Sequence, residues 1–410
     1  MNVASLSREA MAPVRIPPAD SAEERLARLR LSRSENVGPR TFLHLIGRYG
    51  TARRALDHLP DLARRGGRSD GYSAFCREHA EAEIAAGTAF GARLVMLGDA
   101  EYPMLLAAID NPPPVLWVQG SAAALARPSV ALVGARNASA LGLRTARRLA
   151  RELGAAGRVV VSGLARGIDG AAHEAALETG TIGVLAGGID CVYPEEHGPL
   201  ARRIVAAGGA LIAECPVGTE PTSRHFPRRN RLISGLAQGV VLIEAALRSG
   251  SLITARFALE QGREVMACPG APEDPRAGGC NQLIRDGAAL IRSAEDVLDA
   301  LTVPRALHLS EEGADFLFEG AGFDADSFAD GLSRDELEAL ADFDADEAAD
   351  DGALAEQILA LLGAAPVELD EIARATGAAP SELSLALLEL DLAGRIALLP
   401  GGMVARLPDA

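Results

Sequence analysis

Arginine is concentrated in one short stretch of the sequence, Arg224-His-Phe-Pro-Arg-Arg-Asn-Arg231, which holds four Arg in eight residues. A guanidinium group pairs with phosphate through parallel hydrogen bonds, and a phenyl ring offers a face on which a nucleobase stacks. The alternative is that some of these arginines form internal ion pairs on a helix. The candidate contacts to a polyphosphate chain in this stretch are Phe226, Arg228, Arg229, Asn230 and Arg231.

Two further loops combine small residues with polar groups at the expected start of a helix. Val133–Gly142 contains Arg136 and Asn137, and Glu244–Ala255 contains Ser249 and Ser251. Amides at a helix N-terminus and the helix dipole both favour a bound phosphate, and Arg pairs with it directly. These four residues are candidate phosphate contacts, although the serines are equally well explained as helix caps.

Several kinds of catalysis are excluded by residue type. All 40 basic residues are Arg, so the chain has no Lys for a Schiff base or a Walker phosphate loop. The glycines of residues 133–142 do not form the G-x-G-x-x-G pattern of a dinucleotide site. Asp169 and His173 stand one helical turn apart near Ser162, but a helix cap and a local hydrogen bond explain them better than a catalytic triad. We therefore expect no catalytic residue and no cofactor.

The cysteines and the hydropathy pattern indicate a cytoplasmic protein. The five Cys are widely spaced without a C-x-x-C pair, which argues against a disulfide framework and a metal site. No stretch has the apolar length of a signal peptide or membrane span, so no contact with a membrane is expected.

Short apolar runs alternate with helical stretches between about residues 93 and 300. Such runs predict a parallel sheet covered by helices on both faces, which is a doubly wound α/β domain. The expected strands are at residues 93–97, 115–118, 130–133, 159–161, 182–185, 210–213, 240–243 and 264–267. Ligands of such sheets bind where the strands end, which is where the candidate loops lie.

The flanking regions predict two smaller domains. Residues 21–92 have helical periodicity, and residues 34–50 resemble a helix–hairpin–helix element in which Asn36 stands where Gly is usual. Three short helices and a hairpin over residues 353–410 are typical of a winged helix. Residues 1–20 are interpreted as a loose N-terminal arm.

The net charge of −16 comes almost entirely from one segment. Residues 301–360 hold 2 Arg against 17 acidic residues, and residues 301–352 are interpreted as an acidic linker. The segment is either a solvated spacer or a weak competitor of a bound polyphosphate chain for the arginine-rich loops. Residues 353–410 hold 3 Arg against 8 acidic residues, so we expect this winged helix to contact protein or its own chain and to add little to the affinity for such a chain.

The central motifs, in their order, resemble the DNA-processing protein DprA (Smf) family over roughly residues 93–300. The motifs that carry the resemblance are Val130–Arg136, Ser162–Asp169 with His173, Gly188–Pro194, Phe226–Arg231, Glu244 with Ser249–Ala255, Pro269-Gly270 and Gly279–Ile284. The resemblance implies an extended Rossmann-like doubly wound sheet between a SAM-like or helix–hairpin–helix domain and a winged-helix domain.

The same resemblance implies a function and a set of contacts. Members of the family bind and protect single-stranded DNA, form homodimers and load the recombinase RecA during natural transformation of competent cells, without catalysis. Carried over by motif, the DNA contacts are Arg136, Ser162, Gly163, Arg166, Phe226, Arg229, Asn230 and Arg231. The alternative is a nucleotide-binding or nucleotide-hydrolysing Rossmann enzyme, in which Glu244 beside Ser249 would act on an N-glycosidic bond.

Overall fold

The computed structural model describes residues 16–65, 72–302, 354–363, 366–378, 395–399 and 403–406, with positions 383, 386, 387 and 390. Its Cα positions fall into two compact units, residues 1–102 with 107–117, and residues 103–106 with 118–410. Most of the expected N-terminal arm and almost all of the expected acidic linker lie outside the described residues. Within the described ranges, no helix is long and apolar enough to cross a membrane.

The first unit is mainly helical, as the periodicity predicts. Its elements are α1 (Ala22–Arg33), α2 (Pro39–Tyr49), α3 (Ala52–Arg65), α4 (Arg77–Ala89) and β1 (Arg93–Met96). Leu31, Phe42 and Ile46 belong to the apolar core between the first three helices. Asn36, in the turn before α2, has a φ of 60°, and Asn adopts this left-handed conformation more readily than most other side chains. Asn therefore fits the position at which the hairpin pattern usually has Gly.

The second unit contains the parallel sheet predicted from the apolar runs. The short elements α5 (Met104–Ala107) and β2 (Val115–Gly120) precede it in the chain. The strands pair in parallel in the order β6-β5-β4-β3-β7-β8-β9. The elements are α6 (Ala122–Ala126), β3 (Ser129–Gly134), α7 (Ala140–Ala155), β4 (Val159–Ser162), α8 (Ile168–Ala175), β5 (Thr181–Val184), α9 (Gly198–Ala206), β6 (Ala210–Ala213), α10 (His225–Leu236), β7 (Gly239–Ile243), α11 (Ser251–Glu260), β8 (Glu264–Ala267), α12 (Gly278–Arg285), β9 (Ala289–Leu290) and α13 (Ala294–Thr302).

Burial explains why these strands read as continuous apolar runs. Every residue of β4 and β7 is buried, because helices cover the sheet. On one face, α7, α8 and α13 share an apolar core with strand residues such as Leu132 and Val160. The strand β9 was not predicted, since two residues are too short to show a period.

The C-terminal part forms the expected winged helix. Its described elements are α14 (Leu354–Leu361), β10 (Val367–Glu368), α15 (Leu369–Thr376), β11 (Ile396–Leu399) and β12 (Met403–Arg406). The strands form an antiparallel sheet in the order β10-β12-β11, so β10 adds a strand to the predicted hairpin. Leu383, Leu387 and Leu390, from the expected third helix, are buried in the core of this module.

The strand order decides which loops meet at the carboxyl edge of the sheet. The chain passes from β3 outward through β4, β5 and β6, and then returns to β7 on the other side of β3. Connections from β3 and β7 therefore leave in opposite directions, which makes the crevice between them the topological switch point. In doubly wound sheets this crevice is the usual place for a bound nucleotide.

Candidate functional site

A pocket opens at the carboxyl edge of the sheet, beside the ends of β3, β4 and β5. It encloses about 320 Å³ of space that is open to solvent. Five of its residues belong to the contacts implied by the family motifs: Arg136, Gly163, Arg166, Phe226 and Arg229. The lining residues are Arg136, Gly163, Ala165, Arg166, Tyr193, Pro194, Phe226 and Arg229.

Phe226 is the aromatic centre of this pocket. The guanidinium carbon of Arg136 lies 5.3 Å from the centre of the Phe226 ring, within the range of a cation–π contact. The ring of Tyr193 meets Phe226 edge-on, with centroids 5.5 Å apart. Phe226 and Arg136 are both partly exposed. The pocket therefore presents an aromatic ring and a cation in contact with it to solvent.

Arg229 forms the floor of the pocket rather than its surface. Only 6% of the residue is exposed, and its guanidinium donates hydrogen bonds to the carbonyl oxygens of Gly163 and Val184. Burial lowers the pKa of Arg229 to about 10, which still leaves it charged at neutral pH. Arg229 therefore joins the ends of β4 and β5 to α10.

Asp169 is the buried counter-charge of Arg229. Its carboxylate accepts hydrogen bonds from the amides of Gly163, at 2.9 Å, and Ala165, at 3.4 Å. Burial raises the pKa of Asp169, and the charge of Arg229 and these amides oppose that shift. Gly163 is thus held through its N–H by Asp169 and through its C=O by Arg229. A Cβ on Gly163 would lie 2.5 Å from the Arg229 guanidinium, so this position requires Gly.

Ser162 and His173 are buried and do not form a catalytic pair. The Ser162 hydroxyl donates to the carbonyl of Leu132 at 2.6 Å, and His173 Nδ1 lies 2.7 Å from the hydroxyl of Thr181. Burial lowers the pKa of His173 to about 3, so its ring is neutral at physiological pH. Ser162, implied as a DNA contact by the motif, supports the strand end instead of facing solvent.

Arg231 forms an internal ion pair. It is 3% exposed, and its guanidinium lies 2.5 Å from the Glu214 carboxylate. The interpretation that some arginines of residues 224–231 pair inside the protein therefore applies to Arg231. Arg228, in contrast, is exposed on α10. Of the arginines in this stretch that were expected to meet DNA, Arg228 has the surface position and Arg229 and Arg231 have structural ones.

Arg166 stands at the pocket rim and is paired with Glu196. Its Nε and Nη2 donate to the two carboxylate oxygens at 2.7 and 3.0 Å, and both side chains are partly exposed. This bidentate pairing lowers the pKa of Glu196. A phosphate that binds Arg166 must therefore compete with Glu196.

The switch-point crevice is closed by Glu244. Its carboxylate accepts from the Ser139 amide at 2.8 Å and from the Ser139 hydroxyl, at the first turn of α7. The Ala135 amide also donates to the Glu244 carbonyl at 2.7 Å. A carboxylate at a helix N-terminus takes the place that a phosphate would take. The phosphate-binding site expected at the start of α7 is thus occupied by the carboxylate of Glu244.

The remaining candidates do not line the pocket. Asn137 is exposed in the loop after β3. Ser249 and Ser251 follow β7, with their hydroxyl oxygens 2.8 Å apart, and the Asn230 side-chain amide donates to the carbonyl of Gly250 at 3.4 Å. Asn230 therefore links α10 to the loop of residues 244–250, which we call the serine loop.

Tyr193 and Glu196 were missed as site residues. Tyr193 is 43% exposed and is the second-to-last residue of Gly188–Pro194, one of the motifs that carry the family resemblance. An aromatic residue in a loop after a buried strand was the available signal. Nothing in the sequence indicated that Glu196 would pair with Arg166, since the two are thirty positions apart.

Comparison with known families gives one consistent result along the chain. Residues 93–302 match the family described as DNA recombination-mediator protein A. Residues 22–86 match the DprA-like N-terminal HHH domain, and residues 344–402 match the DprA winged helix domain.

Individual relatives agree with the family matches. The protein Smf of Escherichia coli is 39% identical over 74% of this chain and 74% of its own length. The DNA processing protein DprA of Bacillus subtilis is 44% identical over 52% of this chain and 72% of its own. The X-ray structure of DNA processing protein A from Streptococcus pneumoniae aligns with 68% of this chain and 98% of that one, at 31% identity and a TM-score of 0.54.

Proposed function

The chain belongs to the DNA recombination-mediator protein A family, and from that premise we propose that it binds single-stranded DNA in DNA processing. The observation that carries the proposal is the pocket in which Arg136 and Tyr193 surround the partly exposed ring of Phe226. An unpaired base stacks on such a ring, and the adjacent guanidinium pairs with the backbone phosphate. Bases inside a duplex are already stacked and cannot enter.

Single strands should bind in preference to duplex, with little dependence on sequence. Arginines that neutralise phosphates release counterions, so affinity should fall about tenfold or more between about 50 and 200 mM salt if three phosphates are contacted. Fluorescence anisotropy with labelled single-stranded and duplex oligonucleotides measures both effects. Equal affinity for duplex, or an affinity independent of salt, would contradict the proposal.

Replacing Glu196 by Gln should tighten binding of single-stranded DNA by about two- to fivefold. The variant removes the charge that competes for Arg166, and a partly exposed pair of this kind is weak. Glu195→Gln is the matched control, because it removes the same charge from the next residue, which is also exposed. If both variants change affinity equally, net charge and not the release of Arg166 is responsible.

The role in transformation is a second part of the proposal. We infer that the protein acts as a homodimer that loads the recombinase RecA on single-stranded DNA, and the support is the family described as a recombination mediator. Mass measurement by light scattering tests the dimer. A recombinase filament assay on strands coated with single-strand-binding protein tests the loading, and no acceleration by this protein would reject it.

The alternative function, hydrolysis of a nucleotide, depends on Glu244. That carboxylate is bonded to the amide and hydroxyl of Ser139 and is not directed at an empty phosphate site. Incubation with nucleoside monophosphates, followed by chromatography for released base, tests this alternative. Detectable turnover that Glu244→Gln abolishes would favour it over a purely binding role.

A further inference from the structure

The winged helix is held on the central sheet by Arg276. The guanidinium of Arg276 donates to the carbonyl oxygens of Ala360, at 2.5 Å, and Leu362, at 3.1 Å, at the end of α14. The last carbonyls of a helix lack partners within the helix, and a cation there is favoured by the dipole. The Asp274 carboxylate holds the Arg276 guanidinium in place through an ion pair with an N–O distance of 3.0 Å. Asp274 and Arg276 belong to the loop that follows β8.

A second set of contacts holds the module at the start of α7. Ala140 is buried and belongs to the apolar core of the winged helix, packed with residues such as Ile358 and Leu362. Arg144, one turn further along α7, forms an ion pair with Glu371 of α15. Ala140 and Arg144 follow the loop after β3.

The sheet order places the serine loop between these two anchors. Strand β7 lies between β3 and β8, so the loop of residues 244–250 lies between the loops that the winged helix contacts. The amide of Gly279, after the β8 loop, donates to the carbonyl of Ala245 at 2.7 Å, which confirms that these loops touch. The pocket around Phe226 lies on the other side of β3, beside β4 and β5.

The docked surface is unfavourable for DNA phosphates. Asp370 and Glu371 occupy the first turn of α15, and Glu371 takes the charge of Arg144. A phosphate that reaches Arg144 while the module is docked must therefore compete with Glu371, and the adjacent carboxylate of Asp370 repels it.

We propose that the docked winged helix confines single-stranded DNA to the β4–β5 side of the sheet, and that its release extends the bound track across Arg144, Ser249 and Ser251. This inference rests on the proposed binding of single-stranded DNA. It concerns the length of strand bound, and not whether a strand binds in the pocket. A short oligonucleotide that fills only the pocket should be indifferent to docking.

A disulfide can lock the docked state. A Cβ on Gly363 would lie 3.6 Å from the Ser139 Cβ, within the range of a disulfide, and all three of its nearest neighbours stand at ordinary contact distance. The test uses the full chain with S139C and G363C in a C76S background, since Cys76 is the exposed native cysteine. Ser139→Cys alone controls for the lost cap of α7.

Binding is measured for the oxidised and the reduced protein with oligothymidylates of about 6 and about 30 nucleotides. Reduction should tighten binding of the long strand at least about threefold and leave the short strand unchanged. Equal affinities of both redox forms for the long strand would overturn the inference and leave the proposed function intact. Failure of the short strand to bind either form would count against the proposed function itself.

A release variant tests the same inference in the opposite direction. Arg276→Gln removes the bonds to α14 and should tighten binding of the long strand, although it removes a positive charge. Arg292→Gln is the matched control, since Arg292 is exposed and pairs only locally with Asp296 among the described residues. If Arg276→Gln weakens binding as much as Arg292→Gln does, docking does not restrict the strand.

Discussion

Replacing Arg136 by Ala should weaken binding of single-stranded DNA by about 1–3 kcal/mol, or roughly 5- to 150-fold, without changing the melting temperature. Arg136 lies over Phe226 at the pocket rim and is partly exposed, so its side chain is not part of the buried core. The loss comes from one charge-assisted contact to phosphate. Anisotropy at fixed salt measures the affinity, and the salt dependence should become shallower.

The matched control for Arg136 is Arg158→Ala. Arg158 precedes β4, so it lies at the amino end of the parallel strands, opposite the pocket. The variant has the same net charge as Arg136→Ala and should bind DNA nearly as well as the unaltered protein. Equal losses in both variants would show that overall charge, and not the pocket, determines affinity. An unchanged affinity of Arg136→Ala would remove Arg136 from the site.

Replacing Arg229 by Ala should destabilise the protein by about 3–5 kcal/mol, because it leaves the buried Asp169 without its counter-charge. The carbonyls of Gly163 and Val184 also lose their donor. Thermal unfolding should show a clearly lower melting temperature. DNA affinity should fall as well, since the floor of the pocket and the position of Phe226 depend on Arg229.

The neighbouring residue provides the control for this variant. Arg228→Ala removes the same charge from an exposed position, so it should leave the melting temperature unchanged and weaken DNA binding modestly. The double variant with Asp169→Asn and Arg229→Met should recover part of the stability that is lost when Arg229 is replaced. The reason is that it no longer contains the uncompensated buried charge of Asp169. A stable Arg229→Ala variant that fails to bind DNA would instead make Arg229 a direct contact.

The fold was predictable because its signals are local. The apolar runs that became β3, β4, β5 and β7 are buried on both faces, and such runs need no knowledge of their neighbours. The positions of the candidate loops followed from the same reasoning, since parallel strands end at one edge.

The roles of single arginines were not predictable in the same way. Arg228, Arg229 and Arg231 differ only by their direction around α10, and burial of the last two depends on Asp169 and Glu214 from distant parts of the chain. The sequence pattern indicated that internal ion pairs were an alternative, but it did not indicate which arginines would form them.

The winged helix was expected to contact protein or its own chain. Arg276 and Arg144 hold it on its own chain, and its effect on DNA affinity stays a prediction.

The carboxylate of Glu244 at the start of α7 also affects which molecules compete with DNA. A free nucleotide carries its phosphate charge at one end and needs one strong phosphate-binding site. In this protein the carboxylate of Glu244 occupies that site. A long strand does not need such a site, because weak contacts at successive phosphates act together along one molecule. The abundant monomeric nucleotides of a cell should therefore be poor inhibitors, and binding should select for chain length rather than for a terminal phosphate.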